Sequence, residues 1–577
     1  MSSSESVRDR GLRVRWPWHG RVASARLGCI RGLAATGLGL IGATALAGGP
    51  AGALTSLPPV PAGSPAYLAE TWRSALAAPM PAASGTGAVP GVLPQRFTDP
   101  DALGLFGSYQ LDGPSALAHN AYFEPLGSNG RSCASCHVPA QGMSVSGDDL
   151  RARFEAYGPR DPVFAPVDGA NCPDVVSRGA TAAAPLGALR GEGSDDDGRA
   201  YSLILSRGVF RIFLPLPKDA EFSVRVVSDP AGCNRNTRYD RTVDDKGRVT
   251  RILSVYRRPK AATNLRFMTT TLANTDPATY AFDPYSGEPL PVDANGVVES
   301  GNLMWDGREP TLASQAINAT LTHAQALKPP TPGQVKQIVR FETQFFSAQA
   351  ALDGVGSLTA RRAGGGPENL STTAAAGPNS VTDPNYVPMT LFDAWADTVG
   401  TTAAARLRQS IYRGEQIFNL RPFTISNVTG FNDVPPVNNA FVGGCAFCHS
   451  QANAGTDVFP RSQQDIGTSG TSEAFGGTAA AVDLPVFELK CKAGAATPYA
   501  GGVIRTNDPG LALVSGKCAD IGKVTVSSLR GLAARAPYFH DGSAATLLDV
   551  VNFYDRRFSI GLSTQDKADL VNFLNAL

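Results

Sequence analysis

Two short motifs carry the chemistry of this 577-residue chain. Cys133-Ala134-Ser135-Cys136-His137 and Cys445-Ala446-Phe447-Cys448-His449 each hold two thiols three residues apart, with a histidine directly after the second. On one turn of helix, such thiols can add to the two vinyl groups of one haem, and the adjacent imidazole then reaches the iron as proximal ligand. A zinc ribbon would need its second cysteine pair roughly 15–20 residues after the first, and these motifs lie hundreds of residues apart. A redox C-x-x-C lacks the βαβ context it needs. The motifs therefore point to two covalently bound c-type haems, attached by Cys133, Cys136, Cys445 and Cys448, with His137 and His449 on the metals.

The group opposite each proximal histidine decides between electron carriage and catalysis. A six-coordinate iron suits electron transfer, whereas an open position can bind peroxide or oxygen. No Met follows Met389, so the second haem lacks a Met ligand from its own part of the chain. His540 and Tyr554 are the candidates there. The stretch Thr546–Tyr554 reads as a helix capped by Thr546 with Asp549 three residues on, and it puts Leu547, Val550, Val551 and Tyr554 on one face. A buried, hydrogen-bonded core tyrosine is the competing reading for Tyr554.

The elements that must position these groups belong to a large, loop-rich globular protein. Hydrophobic residues are 43%, charged residues 18%, and Gly (61) and Pro (43) are both abundant. The length implies several structural units. A net charge of +1 gives no basic field for nucleic acid. Residues 1–53 read as a signal peptide: arginines precede an apolar run from Leu33 to Ala47, and Ala51-Gly52-Ala53 is a cleavage site. Export to the periplasm, or further, follows, and no later stretch is apolar enough to span a membrane. A flexible lead-in is expected over 54–98 and a first haem domain over 99–361, with a β-rich insert at 155–255. A linker at 362–388 and a second haem domain at 389–577 complete the chain. Within the insert, Tyr201–Leu205, Val209–Leu214 and Phe222–Val227 read as strands, and Leu312–Ala351 has helical patterning. Ser563 with Asp566 opens a last helix whose face carries Leu570, Val571, Leu574 and Leu577. Cys172 with Cys233, and Cys491 with Cys518, are the disulfide pairs nearest in sequence, although four cysteines allow three connectivities. The expected fold is mainly α, two cytochrome c-type haem domains with the β-rich insert in the first.

Further residues carry a resemblance. Ser528-Leu529-Arg530-Gly531, then Ala536-Pro537-Tyr538-Phe539-His540-Asp541-Gly542-Ser543 and Thr546-Leu547, resemble the second-haem domain of bacterial dihaem cytochrome c peroxidases and MauG. In that family an axial ligand lies fourteen positions after this histidine, Met in typical peroxidases and Tyr in MauG; here the position is Tyr554. Met304-Trp305-Asp306-Gly307-Arg308, followed by Leu312 and Gln315, resembles the family's Trp-Asp-Gly-Arg segment. That likeness implies Trp305 as an electron relay between the haems and Gln315 as a distal-pocket residue; a buried structural Trp is the alternative.

The chain also departs from the family. The position of the distal Glu, twenty after the Trp, is Gln325, and His323 lies two residues earlier. With an ordinary pKa near 6.5, His323 is the acid/base candidate, with a core or sixth-ligand histidine as alternatives. Where typical peroxidases place a distal His, sixteen residues after the first motif, stands Arg153, leaving Met143 as the nearest alternative ligand. The family's calcium site between the domains loses its side-chain asparagine near Arg258. The expected activity is reduction of hydrogen peroxide, or its use to oxidise a partner, with a small cytochrome, a cupredoxin or a protein substrate as that partner. A non-catalytic dihaem electron carrier and a haem-dependent oxygenase of the rubber-cleaving type are the rival readings.

Overall fold

The computed structural model describes residues 91–577 apart from 175–194, 244–246, 283–286, 294–295, 378–379, 381–382, 384, 435–436, 438 and 472–476. The expected signal segment and the lead-in as far as residue 90 lie outside the described residues. The protein is 31% helix and 19% strand, with several antiparallel sheets, which overturns the expected mainly α fold. Helical periodicity near the motifs is local and easy to read. The sheets are built by pairings between segments hundreds of residues apart, which no local window displays.

The first unit opens with β1 (Arg96–Asp101) and β2 (Gly104–Gln110), followed by α1 (Gly147–Tyr157). Ser146 caps α1 by accepting from the Asp149 amide, and Asp148 and Asp149 face the positive end of the helix dipole. The insert supplies α2 (Ser202–Arg207), β3 (Phe210–Pro215), β4 (Phe222–Ser228), β5 (Arg241–Val243) and β6 (Val249–Arg257). The strand expected at Tyr201–Leu205 is thus mostly helix. Leu203 and Ile204 are both buried, whereas a strand would send these neighbours to opposite faces, and left-handed Gly208 closes the helix. After β6 come α3 (Leu312–Thr322), α4 (Pro332–Gln344), β7 (Phe345–Leu352) and β8 (Gly356–Ser357). Helical patterning was expected to run through Ala351, but Phe345–Leu352 pairs along the whole of β2, giving the sheet order β8-β7-β2-β1. The stretch 362–388 contains the short helix Pro367–Thr372 with Leu370 buried.

The C-terminal unit has α5 (Ala403–Leu420), β9 (Val486–Cys491), β10 (Val503–Thr506), α6 (Leu547–Phe558) and α7 (Thr564–Asn575). Here α5 crosses α7 so closely that a Cβ on Gly414 would lie 2.1 Å from the Asp569 carbonyl oxygen. Asp569 in turn accepts from Ser410 Oγ (2.5 Å) and Arg413 Nε (2.8 Å). Phe392, Trp395, Phe418, Phe573 and Leu574 fill the space beneath. The insert is not confined to the first unit. Strands β3, β6 and β5 make one sheet, while β4 pairs with β9 in the order β10-β9-β4, with Val224 opposite Leu489 and Val226 opposite Phe487. Phe487 and Leu489 are fully buried in the core this creates. Disulfide Cys491–Cys518 lies at this core, and Cys172–Cys233 links two buried residues of the insert. Among the described residues no helix is long and apolar enough to cross a membrane.

Candidate functional site

Both cysteine motifs wind into a single helical turn, Cys133–Ser135 and Cys445–Cys448, and all four thiols are unpaired. Each histidine ring is held in the same way. His137 Nδ1 donates to the Met143 carbonyl at 2.9 Å and His449 Nδ1 to the Gly455 carbonyl at 2.7 Å, in both cases six residues on. The chain returns to make that bond through left-handed residues, Gly142 and Met143 in one loop, Asn453 and Gly455 in the other. Donation from Nδ1 fixes the tautomer and leaves Nε2 as the free ligand atom. Burial lowers the pKa of both imidazoles, which keeps them neutral and able to bind a metal. Burial likewise pushes the thiols up, Cys136 to about 11 and Cys445 to about 12.

Each turn opens on its own cavity. The first, of about 190 Å³, is lined by Cys133, Cys136 and His137; the second, of about 240 Å³, by Cys445, Cys448 and His449. Two free thiols and a neutral imidazole at the wall of a largely apolar cavity are the donor set a c-type haem requires, so the residues present fit that group twice.

The cavities share a wall, and Trp305 lines both. Its indole N–H donates to the Arg258 carbonyl at 2.7 Å, and its own carbonyl accepts from the Thr525 amide at 2.8 Å. The turn that presents it needs Gly307, where a Cβ would lie 2.3 Å from Gln463 Nε2. Asp306 is buried against Arg257 (2.5 Å) and Arg308 (2.9 Å), and Arg257 reaches on to Asp508 at 2.6 Å. Burial opposes ionisation of Asp306, but the two guanidinium groups prevail and hold its carboxyl at about 2.

Helix α3 builds the polar side of the first cavity. Thr311 caps it, and the i, i+4, i+8 positions Gln315, Ala319 and His323 all line the cavity. His323 Nδ1 donates to Asp168 Oδ2 at 2.5 Å, leaving Nε2 free. Asp168 is buried and also pairs with the buried Arg131, whose remaining nitrogens are taken by the carbonyls of Pro162 (2.7 Å) and Val163 (2.6 Å). Burial raises the Asp168 pKa, yet Arg131 and His323 outweigh it and keep the carboxyl below its ordinary value. His323 also acts electrostatically on the His137 ring. Sequence reasoning missed Asp168 and Arg131. Asp168 lies in the insert, and nothing local links it to a histidine 155 residues away. Met143 does not line the cavity; it is buried in one core cluster with Tyr122 and Phe341. Met268 and Met304 do line it. Arg153 serves structure, bonding the Ser135 carbonyl and pairing with Asp161.

The second cavity is walled by α6, whose capping box uses Thr546 and Asp549. Leu547, Val550, Val551, Tyr554 and Phe558 line it. Tyr554 packs among Phe539, Phe553 and Phe558, and burial together with the nearby Cys448 and Cys445 pushes its hydroxyl pKa up. His540 also lines this cavity, with Nε2 3.3 Å from Ser469 Oγ and its ring edge-on to Trp305 at 6.0 Å. Between the cavities stand Arg258, Lys260 and Arg535, each lining both. Among the described residues no group of three His, Cys, Asp or Glu is arranged to hold a metal ion.

No protein-family model matches the chain. Cytochrome-c peroxidase IdrP1 of Pseudomonas sp. (strain SCT) is 38% identical over 81 residues, covering 12% of this chain and 21% of that protein. The protein of the same name from Denitromonas iodatirespirans is 41% identical over 69 residues, 10% of this chain and 18% of its own. The chain thus spans about a fifth of the length of these relatives. A solved structure described as a MauG-like protein associated with microbial copper homeostasis aligns with 55% of this chain and 89% of its own, at 16% identity and a TM-score of 0.25, too loose a likeness to argue from. Over the aligned segments the chain is similar to cytochrome c peroxidases, which bears out the resemblance to that family.

Proposed function

We propose that the chain is an exported dihaem c-type peroxidase, which reduces hydrogen peroxide, or uses it to oxidise a partner, with electrons passed between two covalently held haems. The observation that carries this reading is the pair of cavities: each has its own Cys-x-x-Cys-His turn, and the two share Trp305 as a wall. The names of the aligned relatives favour the same activity. Haem, when bound, supplies one-electron redox chemistry and, where a coordination position is open, a place for peroxide.

The reaction consumes two electrons and two protons per peroxide and yields two waters. The chain's own groups handle the protons. His323 Nε2, free because Nδ1 is tied to Asp168, takes the proton from one peroxide oxygen and returns it to the other as the O–O bond breaks. The ionised Asp168 stabilises the imidazolium formed between these two transfers. Gln315 offers an amide from the same helix face. Tyr554 would help hold a second haem through its phenol oxygen, and such a ligand would give a lower potential than a Met thioether. Trp305 relays electrons from the second cavity to the first. The two disulfides favour an oxidising compartment, the periplasm. The donor is a small redox protein or an oxidisable protein substrate.

Mass spectrometry of the purified protein is expected to give two covalently attached haems. EPR and absorption spectra with and without peroxide then test the activity. A high-spin or open first haem that responds to peroxide supports the reading. Two low-spin haems indifferent to peroxide would mark an electron carrier, and a stable oxygen adduct an oxygenase.

A further inference from the structure

Lys260 lies in the wall between the cavities, with Nζ 5.4 Å from the centre of the Trp305 ring. Its ammonium is pinned: it donates to the carbonyls of Asn302 (3.2 Å) and Met304 (3.1 Å) and to Thr525 Oγ1 (2.6 Å). Thr525 gives its own hydroxyl proton to the Met304 carbonyl at 2.9 Å, so its oxygen must accept from Lys260. All three ammonium protons are thereby committed, and the group cannot swing away to another anion. Among the described residues no carboxylate is hydrogen-bonded or ion-paired to Lys260. The charged groups facing it are Asp306, already engaged by Arg257 and Arg308, and the cations Arg535 and Arg258.

The indole of Trp305 donates its proton to a backbone carbonyl, which cannot take that proton as a base. On losing an electron the ring therefore stays a cation, and it feels a neighbouring charge in full. We propose that Lys260 sets the oxidation potential of Trp305, so that the charged ammonium holds back electron relay between the cavities and the neutral amine permits it. This rests on the reading of Trp305 as the relay. In one cycle of the relay Trp305 gives one electron to the oxidised centre in the first cavity and recovers one from the second, whose own electron comes from the donor protein. Lys260 exchanges only a proton with solvent. Burial, then Arg535, lower the Lys260 pKa against the smaller pull of Asp306, to about 7, so the switch falls in a working pH range. Lys260 is a positioning and tuning residue, not a group that touches substrate.

The test uses the holoprotein, reduced by one electron at the second haem and mixed rapidly with peroxide between pH 5.5 and 9. Second-haem oxidation is followed by absorbance and tryptophan radical by freeze-quench EPR. In the unaltered protein the transfer rate is expected to rise on the order of tenfold with pH. Lys260→Met should be fast and flat over this range, with more radical, whereas Lys260→Arg should be slow and flat. A Lys260→Met protein that retains the original pH profile overturns the proposal. Trp305→Phe separates the two claims. If it slows transfer while Lys260→Met changes nothing, only the role of Lys260 fails; if transfer ignores Trp305→Phe, the relay reading itself fails. Unchanged haem content and circular dichroism show that the variants have folded.

Discussion

The two cavities that hold the Cys-x-x-Cys-His turns are built alike around the histidine and differently in the rest of their walls. Each has a one-turn Cys-x-x-Cys helix, a neutral histidine and an Nδ1 bond to a carbonyl six residues on. Around the first cavity the chain supplies a polar array, Gln315 and a His323 fixed by the buried pair of Asp168 and Arg131. Around the second cavity it supplies a largely aromatic and aliphatic wall, with Tyr554 and His540 among its polar side chains. The lesson is that the motif determines where a metal is held, and the facing wall determines what can happen there. A wall with a free, oriented imidazole can move protons, whereas a largely apolar wall that presents a phenol is suited to holding a potential.

The largest expected effect breaks the first wall. His323→Ala should lower the rate of peroxide reaction about 10²–10⁴-fold while leaving the second haem's spectrum unchanged, as read by stopped-flow absorbance. A variant with intact peroxide reactivity removes His323 from the chemistry. Next comes Asp168→Asn, which keeps the shape but can present an amide N–H to Nδ1 and so reverse the tautomer. A loss of about 10–100-fold is expected, partly restored by Asp168→Glu, with a shifted pH profile that a merely structural role would not produce.

Much of the proximal build could be read in the sequence, because C-x-x-C-H is contiguous and its chemistry dictates its spacing. The helix face carrying Tyr554 and both disulfides were legible for similar reasons: a cap plus apolar periodicity, and few cysteines near one another. The distal array was only half legible. Gln315 and His323 share one helix face, but Asp168 arrives from the insert through a tertiary contact. The sheet joining β4 to β9 was invisible for the same reason, since pairing Val226 with Phe487 is a matter of register between distant segments. Phe345–Leu352 misled because Ala, Gln and Leu favour helix, and burial against β2 overrides that propensity.

A smaller effect sharpens the second wall. Tyr554→Phe should change the second haem's absorption and EPR spectra and raise its reduction potential, while peroxide reactivity at the first haem persists. Spectra identical to the unaltered protein would return Tyr554 to the role of a core residue.

The smallest effect concerns a likeness that hides a difference. Each cradle keeps a buried carboxyl near a thiol, Glu342 by Cys133 and Asp457 by Cys448. Asp457 accepts from the Phe459 amide at 3.0 Å and from Ser450 Oγ at 3.3 Å, while Glu342 Oε2 has no hydrogen-bond partner among the described residues. Burial lifts Glu342 to about 8 and Asp457 to about 7. Between its ordinary value near 4.5 and about 8, folded Glu342 keeps a proton that the unfolded chain has lost, so stability falls as pH rises through that window and is unaffected below it. Glu342→Gln removes this loss. It should stabilise the protein by about 1–3 kcal/mol at pH 8 and change little at pH 4, as read by thermal melts at both. Asp457→Asn should give no such gain, because the second carboxyl oxygen, Oδ2, accepts from Gln464 Nε2 at 3.4 Å, and an amide nitrogen in its place cannot accept. Equal gains from the two variants would show that hydrogen bonding does not separate these carboxyls, and that burial alone governs both.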